Sequence, residues 1–346
     1  MSTHKHYMQR CIDIAKKGFG NVAPNPMVGC VVAVEGKIIS EGYHQVYGGP
    51  HAEVNALSHL KNSDLENATV YVSLEPCFHH GKTPPCAELL IAKGVKKVVV
   101  ASKDPNPLVA GKGMTLLEQH GIEVVFGVLE KEAIALNRRF FTFHQKKRPY
   151  TILKWAQSKN GFISSNNKAA DQRIHWITQK DTQILNHRWR TEENGILVGA
   201  NTFNEDKPLL TNRLWPGISP LRMVICNKTS GLNQDHLKAW SESPAVVFCK
   251  QMDSPKINNI DFVPLGDEAI KTIWDHCFNN NIQSLIVEGG KNLLDQFIKA
   301  KAWDEARMLV GDSYISDGEK APEIKGNLEN NTALQNGDSY LLIKPN

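Results

Sequence analysis

GPHAEVNAL at residues 49–57 and EPCFHHGKTPPC at residues 75–86 decide how this chain is read. They gather two cysteines, three histidines and two glutamates in a short span, and such a set can be a zinc centre, a disulfide or a polar surface. His51 follows Gly48-Gly49-Pro50 and opens a helical pattern. Cys86 follows Pro84-Pro85, and proline is favoured in the first helical turn because its missing N–H is not needed there. Both side chains therefore belong at helix N-termini, where the positive end of the helix favours the thiolate that zinc requires. Cys77 follows the strand-like run TVYVSL, so three ligands converge from three segments and leave one tetrahedral position open.

Three protein ligands with an open position are the arrangement of catalytic zinc, whose bound water ionises near a pH of about 7. Deamination also needs a proton on a ring nitrogen and a protonated leaving amine. Glu53, two residues beyond His51, is placed to shuttle those protons without binding metal. Two other readings compete. A structural zinc site would take His79 or His80 as a fourth ligand and leave Glu53 without a purpose; the zinc-catalytic reading makes those histidines pocket-lining groups. A Cys77–Cys86 disulfide does not suit a reducing compartment, which the odd count of seven cysteines favours. Cys11, Cys30, Cys226, Cys249 and Cys277 lie in apolar runs and read as small core residues.

The 346 residues, 41% hydrophobic and 22% charged, exceed what one core organises, so two domains are expected. No run of about 18 apolar residues occurs and the N-terminus lacks an apolar signal core, so a cytoplasmic protein without membrane attachment is expected. A net charge of +4 permits anionic substrates but is no nucleic-acid footprint. Helical spacing over Tyr7 to Lys16 precedes a hairpin of residues 28–34 and 37–43 turning at Glu35-Gly36. Helix and strand then alternate: helices at about 51–60, 85–93 and 113–120 precede the strands TVYVSL, KKVVVA and IEVVFG, so the later strands should be parallel. The basic, proline-ended HQKKRP at 144–149 suits a boundary. Beyond it, YTILKWA, GILVGA, RMVIC, AVVFCK, SLIVEGG and YLLIK read as strands of a second α/β domain with a helix over 180–192.

Histidine-x-glutamate followed by proline-cysteine and a second cysteine is the pattern of zinc nucleobase deaminases, although eight residues rather than two separate Cys77 from Cys86. With APNPMVGCVV at 23–32, GPHAEVNAL, EPCFHHGKTPPC and DPNPLVAGKG at 104–113, the first half resembles the deaminase of the bifunctional riboflavin-biosynthesis deaminase-reductases. LKWAQSKNGFIS at 153–164, WIT at 176–178, the run from His187 to Arg213 and VEGGKNLL at 287–294 extend that resemblance to the reductase half. The resemblance implies a cytidine-deaminase-like α/β/α zinc domain over residues 1–146 and a dihydrofolate-reductase-like α/β domain over 147–346. One zinc per chain would be held by His51, Cys77 and Cys86, with Glu53 catalytic. NADPH would contact Ala156, Trp176, Thr202, Asp206 and Gly290, Lys291, Asn292, Leu293, Leu294, Asp295 and Gln296. Substrate would contact Asn25, Arg190, Leu210, Arg213 and Glu288; apart from the resemblance, Lys154, on a strand and flanked by apolar residues, is placed to steady the substrate or a developing charge.

The residues support parts of this transfer. No G-x-G-x-x-G follows a strand, so a Rossmann site is not expected, but Gly289-Gly290 ahead of a helix lets backbone and helix N-terminus approach a phosphate. Arg190 and Arg213 have the forked donors that suit a ribose phosphate. Two positions depart from the family pattern: Asn160 stands where aspartate is usual, and Cys226-Asn227 where an aspartate-serine pair is usual. The implied substrates are small phosphorylated pyrimidines, deaminated first and then reduced from ribosyl to ribityl, with no nucleic acid as partner and a homo-oligomer expected. Two other functions stand beside it. A nucleic-acid-editing zinc deaminase would need a basic groove and would leave the second domain unexplained, and a noncatalytic zinc module would need four ligands and no glutamate.

Overall fold

The computed structural model describes residues 3–78, 84–107, 109–166, 177–253 and 257–346. It divides into two compact units, Met1–Lys147 and Arg148–Asn346. Among the described residues no helix is long and apolar enough to cross a membrane.

In the first unit the hairpin forms as read, with β1 (Gly29–Val34) antiparallel to β2 (Lys37–Tyr43). Glu35 and Gly36 take φ of 47° and 81°, the left-handed pair that a two-residue turn of matching twist demands. β3 (Thr69–Val72), β4 (Lys97–Val100) and β5 (Glu123–Phe126) complete a sheet of order β2-β1-β3-β4-β5, parallel from β3 onward. Successive strand side chains face opposite sides, and here both sides are covered. Cys30, Val32, Val70, Val72, Val98 and Val100 pack with α2 (Ala52–Leu57), α3 (Cys86–Ala92) and α4 (Lys112–Gln119). Val31, Ala33, Tyr71 and Val99 pack against Tyr7, Met8, Cys11 and Ile12 of α1 (Thr3–Ala15). That two-sided burial is why GCVVAV is continuously apolar rather than alternating. Gly42 lets α2 lie close on β2, since a Cβ there would sit 2.5 Å from the Ala56 nitrogen.

Two helices had no counterpart in the sequence reading, α5 (Glu130–Leu136) and α6 (Arg138–Lys146). The basic stretch read as a boundary begins as the last turn of α6, and Lys147 then turns the chain with φ of 55°.

The second unit carries a nine-stranded sheet, built from β6 (Tyr150–Ser158), β8 (Gly195–Gly199), β9 (Leu221–Lys228), β10 (Ala245–Gln251), β11 (Ile260–Pro264), β12 (Ser284–Val287), β13 (Glu305–Gly311), β15 (Asn327–Ala333) and β16 (Ser339–Lys344). A small pair, β7 (Phe162–Ser165) with β14 (Gly318–Lys320), stands beside it. The order is β11-β10-β9-β8-β12-β6-β13-β16-β15, parallel as far as β13 and antiparallel beyond. One face packs Ile152, Ile196, Val198 and Val224 and the other Leu153, Leu197, Met223 and Val246, the alternation expected of strands buried on both sides. After β8 the chain passes through α8 (Ala200–Asp206) to β9 on one side. After β12 it passes through α11 (Lys291–Lys299) to β13 on the other. The connections diverge between these two neighbouring strands, and such a switch point opens a crevice at the carboxyl ends of the strands.

All seven cysteines are free thiols, and the five assigned to the cores are buried. The Cys77–Cys86 disulfide is thus absent.

Candidate functional site

The ligand atoms of His51, Cys77 and Cys86 lie within 4.8 Å of one another. His51 is the N-cap of α2 and Cys86 the first residue of α3, while Cys77 comes from the loop after β3. The Cys86 backbone N–H donates to Cys77 Sγ at 3.2 Å, and Ala87 N–H to the Cys77 carbonyl at 3.2 Å, so the start of α3 fixes its partner ligand. His51 Nδ1 is 3.5 Å from Cys77 Sγ and 3.3 Å from Cys86 Sγ. A tetrahedral zinc with bonds of about 2.3 Å to sulfur and about 2.0 Å to nitrogen separates its sulfur and nitrogen ligands by about 3.5 Å. The donor set therefore fits zinc in kind and in spacing. The hydrogen bond from the Cys86 thiol, and next the one with His51, hold the Cys77 thiol well below its ordinary range, which favours a thiolate there. Among the described residues the group has three members; His79 and His80, weighed above, lie outside those residues.

Glu53 is buried at 3% exposure in the first turn of α2. Burial, and next the Cys77 sulfur, push its carboxyl up to about 7, a poise suited to taking and returning a proton near neutrality.

Asn25 reaches this centre through a residue the motifs did not flag. Its Nδ2 lies 3.1 Å from His44 Nε2, and His44 Nδ1 lies 2.9 Å from the carbonyl of Pro50, the residue before His51. A carbonyl only accepts, so Nδ1 carries the proton and Nε2 accepts from the Asn25 amide. Burial lowers the His44 pKa, which keeps the ring neutral for that relay.

Glu75, to which the motif reading gave no task, ties Asp104, Gly111 and the first turn of α4 together. Its carboxylate accepts from the backbone N–H groups of Asp104, Gly111, Gly113 and Met114 at 3.2, 2.9, 3.0 and 3.4 Å. Gly113 is held so tightly that a Cβ there would sit 2.0 Å from the Pro76 carbonyl oxygen, next to Cys77. Backbone amides carry no residue code, so spacing alone could not reveal this clamp.

The second unit holds a cleft of about 850 Å³ at the carboxyl ends of β6, β8, β9, β10 and β12. Ala156, Thr202, Asp206, Gly290, Lys291, Asn292, Leu293 and Gln296 line it, as do Lys154 and Glu288. Gly290 N–H donates to Thr202 Oγ1 at 3.1 Å across the switch point, with the N-terminus of α11 beside it. That size and that helix end suit a dinucleotide phosphate. Other assigned residues are elsewhere. Leu294 is fully buried in the core, Leu210 is 2% exposed in the opposite core cluster, Asp295 pairs with Lys291 at 2.9 Å, and Arg213 is exposed and outside the lining. Trp176 lies outside the described residues.

Glu288, in the lining, pairs with Lys154 of the lining and with Arg190, which is buried and lies outside the lining. Arg190 Nη2 and Nε donate to its two oxygens at 2.9 and 3.4 Å, and Lys154 Nζ stands 3.8 Å away. Burial opposes its ionisation, but Arg190 and then Lys154 outweigh that and hold the carboxyl at about 2. Arg190 also donates to the Thr211 carbonyl at 3.0 Å, so its fork is already engaged rather than turned outward. α7 (Lys180–Glu192), which carries Arg190, is anchored by Asp338 of the β15–β16 turn, whose carboxylate accepts from Gln179 N–H at 2.8 Å and from the Thr182 hydroxyl. Thr182, Gln183 and Asn186 of α7 line the cleft as well, and polar residues at i and i+4 on an inward helix face were the signal that could have found them. Cys226 and Asn227 both line the cleft. Asn160, where the family usually has aspartate, uses both ends of its amide: its Oδ1 accepts from Ser158 at 2.8 Å while its Nδ2 donates to the Ile315 carbonyl at 2.8 Å, a bond that aspartate could not make.

Comparison with known proteins assigns both halves. Residues 1–102 match the cytidine and deoxycytidylate deaminase zinc-binding region, and residues 149–331 match the RibD C-terminal domain. The chain is 38% identical over 319 residues to the riboflavin biosynthesis protein RibD of Aquifex aeolicus, covering 91% of this chain and 88% of that protein. This chain belongs to the RibD family. To the RibD of Actinobacillus pleuropneumoniae it is 40% identical over 303 residues, 84% of this chain and 79% of the other. A Thermotoga maritima structure, described as a diaminohydroxyphosphoribosylaminopyrimidine deaminase/5-amino-6-(5-phosphoribosylamino)uracil reductase, superposes with a TM-score of 0.86 at 32% identity and 99% coverage of both chains. Acinetobacter baumannii RibD gives a TM-score of 0.88 at 30% identity, again over 99% of each chain. As a RibD-family protein the chain is a bifunctional enzyme of riboflavin biosynthesis, joining a zinc-dependent deaminase of cytidine-deaminase-like fold to an NADPH-dependent reductase of dihydrofolate-reductase-like fold.

Proposed function

We infer that this chain deaminates 2,5-diamino-6-(5-phosphoribosylamino)pyrimidin-4-one at the carbon bearing the 2-amino group. It then reduces the resulting 5-amino-6-(5-phosphoribosylamino)uracil to the ribitylamino product. The observation that carries the first step is the convergence of His51, Cys77 and Cys86 beside a buried Glu53. When bound, zinc supplies a water that ionises near neutral pH, and NADPH supplies the hydride. His51, Cys77 and Cys86 would hold the metal. Glu53 takes one proton from the attacking water and gives it to the ring nitrogen, then takes the second from the newly added hydroxyl and gives it to the amine that leaves as ammonia. Asn25, held through its nitrogen by His44, keeps its amide oxygen for a donor on the pyrimidine edge.

For the second step, Thr202, Gly290 and the α11 N-terminus hold the cofactor's phosphate side, and Asp206 and Gln296 extend that wall. Lys154, Arg190 and Glu288 form the polar end that binds the ribosyl-bearing substrate. Their role is to fix the sugar carbon against the nicotinamide and exclude water. Deaminase and reductase would occupy residues 1–146 and 147–346, a division supported by the spans of the two family matches. A cytoplasmic location, in keeping with seven free thiols, and a homo-oligomeric state belong to the same reading. A nucleic-acid-editing deaminase is not favoured, because the second unit then has no task.

A coupled assay tests this: purified protein with zinc should release ammonia from the diaminopyrimidine and then oxidise NADPH. Ammonia release from RNA but not from the small pyrimidine would refute it.

A further inference from the structure

We propose that Lys250, with Asn227 beside it, reads the 2′-phosphate of NADPH and so sets the preference of the reductase for the phosphorylated nicotinamide dinucleotide. The proposal rests on the reductase reading of the cleft. Parallel pairing sets Cys249 opposite Cys226 and Gln251 opposite Lys228, so Lys250 and Asn227 are neighbours at the carboxyl ends of β10 and β9. Side chains alternate along a strand, which puts these two on the sheet face of Ile225 and Phe248 rather than on that of the two cysteines. The same face is covered by α11, whose Leu293, Leu294 and Phe297 pack there. Asn227 and Lys250 both line the cleft, and both are exposed.

Charge singles out the lysine. Among the described lining residues the cations are Lys154, Lys250 and Lys291; the first stands 3.8 Å from Glu288 and the last pairs with Asp295 at 2.9 Å. No ion pair or side-chain hydrogen bond engages Lys250 among the described residues, not even with Asp267, the carboxylate on that wall. Its flexible four-carbon stem leaves the ammonium free to turn to a ligand.

Placement supplies the partner. Along the sheet the order is β10-β9-β8-β12-β6. Gly290 and the start of α11 offer the phosphate site where β8 meets β12, and Lys154 on β6 with Glu288 marks the substrate end. The nicotinamide has to meet the substrate there, so the adenosine half belongs on the other side of the switch point, over β9 and β10. Two strand spacings of about 4.8 Å separate β8 from β10, a short step for a ribose attached to that phosphate. Ile225, Leu265 and Ala269 give this end of the cleft an apolar wall for a purine. NADPH differs from NADH by a single phosphate on the adenosine ribose. An unpaired ammonium and an amide N–H are the groups that such a dianion requires.

The test is Lys250→Met, which keeps the length of the side chain and removes the charge. Calorimetry on the full chain uses adenosine 2′,5′-bisphosphate and adenosine 5′-monophosphate as probes. The wild type should bind the bisphosphate at least about tenfold more tightly, and the variant should lose about that factor for the bisphosphate while its affinity for the monophosphate stays within about twofold. In turnover, KM for NADPH should rise about tenfold with KM for NADH and for the uracil substrate unchanged, and Lys250→Arg should stay close to wild type. An unchanged affinity for the bisphosphate would overturn the proposal, as would an equal loss for both probes, which would make Lys250 a support of the whole cleft. Wild-type protein that prefers the bisphosphate yet fails to oxidise NADPH with the uracil substrate would refute the reductase reading and leave the phosphate site standing.

Discussion

The two sites of this chain are built in opposite ways. The metal-ligating triad comes from residues 51–86, with two of its members at helix starts, and its chemistry is concentrated in ligand atoms within 4.8 Å. The reductase cleft draws its lining from Lys154 to Glu319 and exists because connections diverge between β8 and β12. A compact site made of reactive side chains depends on a few identities. A cleft made by topology spreads its requirements over many residues. Single substitutions should therefore be all-or-none in the first and graded in the second.

The largest expected effect is at Cys86. Cys86→Ser should lose both zinc and deamination, read by metal analysis and ammonia release, while NADPH oxidation with supplied uracil intermediate continues. Zinc at one per chain in that variant would break the contrast at its strongest point. Next comes Glu53→Gln, which should keep zinc yet lose deamination by roughly two to four orders of magnitude. Activity within tenfold of wild type would move proton transfer to another group. In the cleft, Glu288→Ala strands Arg190 and Lys154, which lie at 9% and 10% side-chain exposure, and breaking a buried pair costs about 3–5 kcal/mol. Thermal unfolding should show that loss with ammonia release spared.

Acid should reproduce the effect without mutation. The Glu288 carboxyl drops from its ordinary 4.5 to about 2 on folding, so its contribution is complete above pH 4.5 and is lost as pH falls toward 2. By linkage that is on the order of 3 kcal/mol at neutral pH. The wild-type protein should lose this increment across that window and Glu288→Ala should not.

The same difference explains what could be read from sequence. His51, Glu53, Cys77 and Cys86 could be singled out because the zinc and proton chemistry proposed for them demands those residue types near helix starts, and the structure brings the three ligand atoms together. The hairpin turning at Glu35-Gly36, the strands of the first sheet and six strands of the second follow from apolar period and turn chemistry, whereas β11, β13 and β15 had no counterpart in the sequence reading, the last being exposed and polar throughout. His44 and Glu75 were not legible, since the first acts through partners on other segments and the second through backbone amides. Leu210, Leu294 and Arg213 mark the other limit: motif matching named them as contacts, and the fold puts two in cores and one in solvent.

Gly113 gives this architecture a consequence for heredity. It lies 36 positions from Cys77, yet any side chain there collides with the Pro76 carbonyl. Lesions at 113 should therefore segregate with those at Cys77 as deaminase-deficient alleles of one complementation class. Because the described residues that line the reductase cleft all belong to the other unit, such alleles should be rescued in trans by a chain damaged only at Glu288. The mutational target of the metal centre thus includes a glycine whose own chemistry offers nothing to a metal or a pyrimidine.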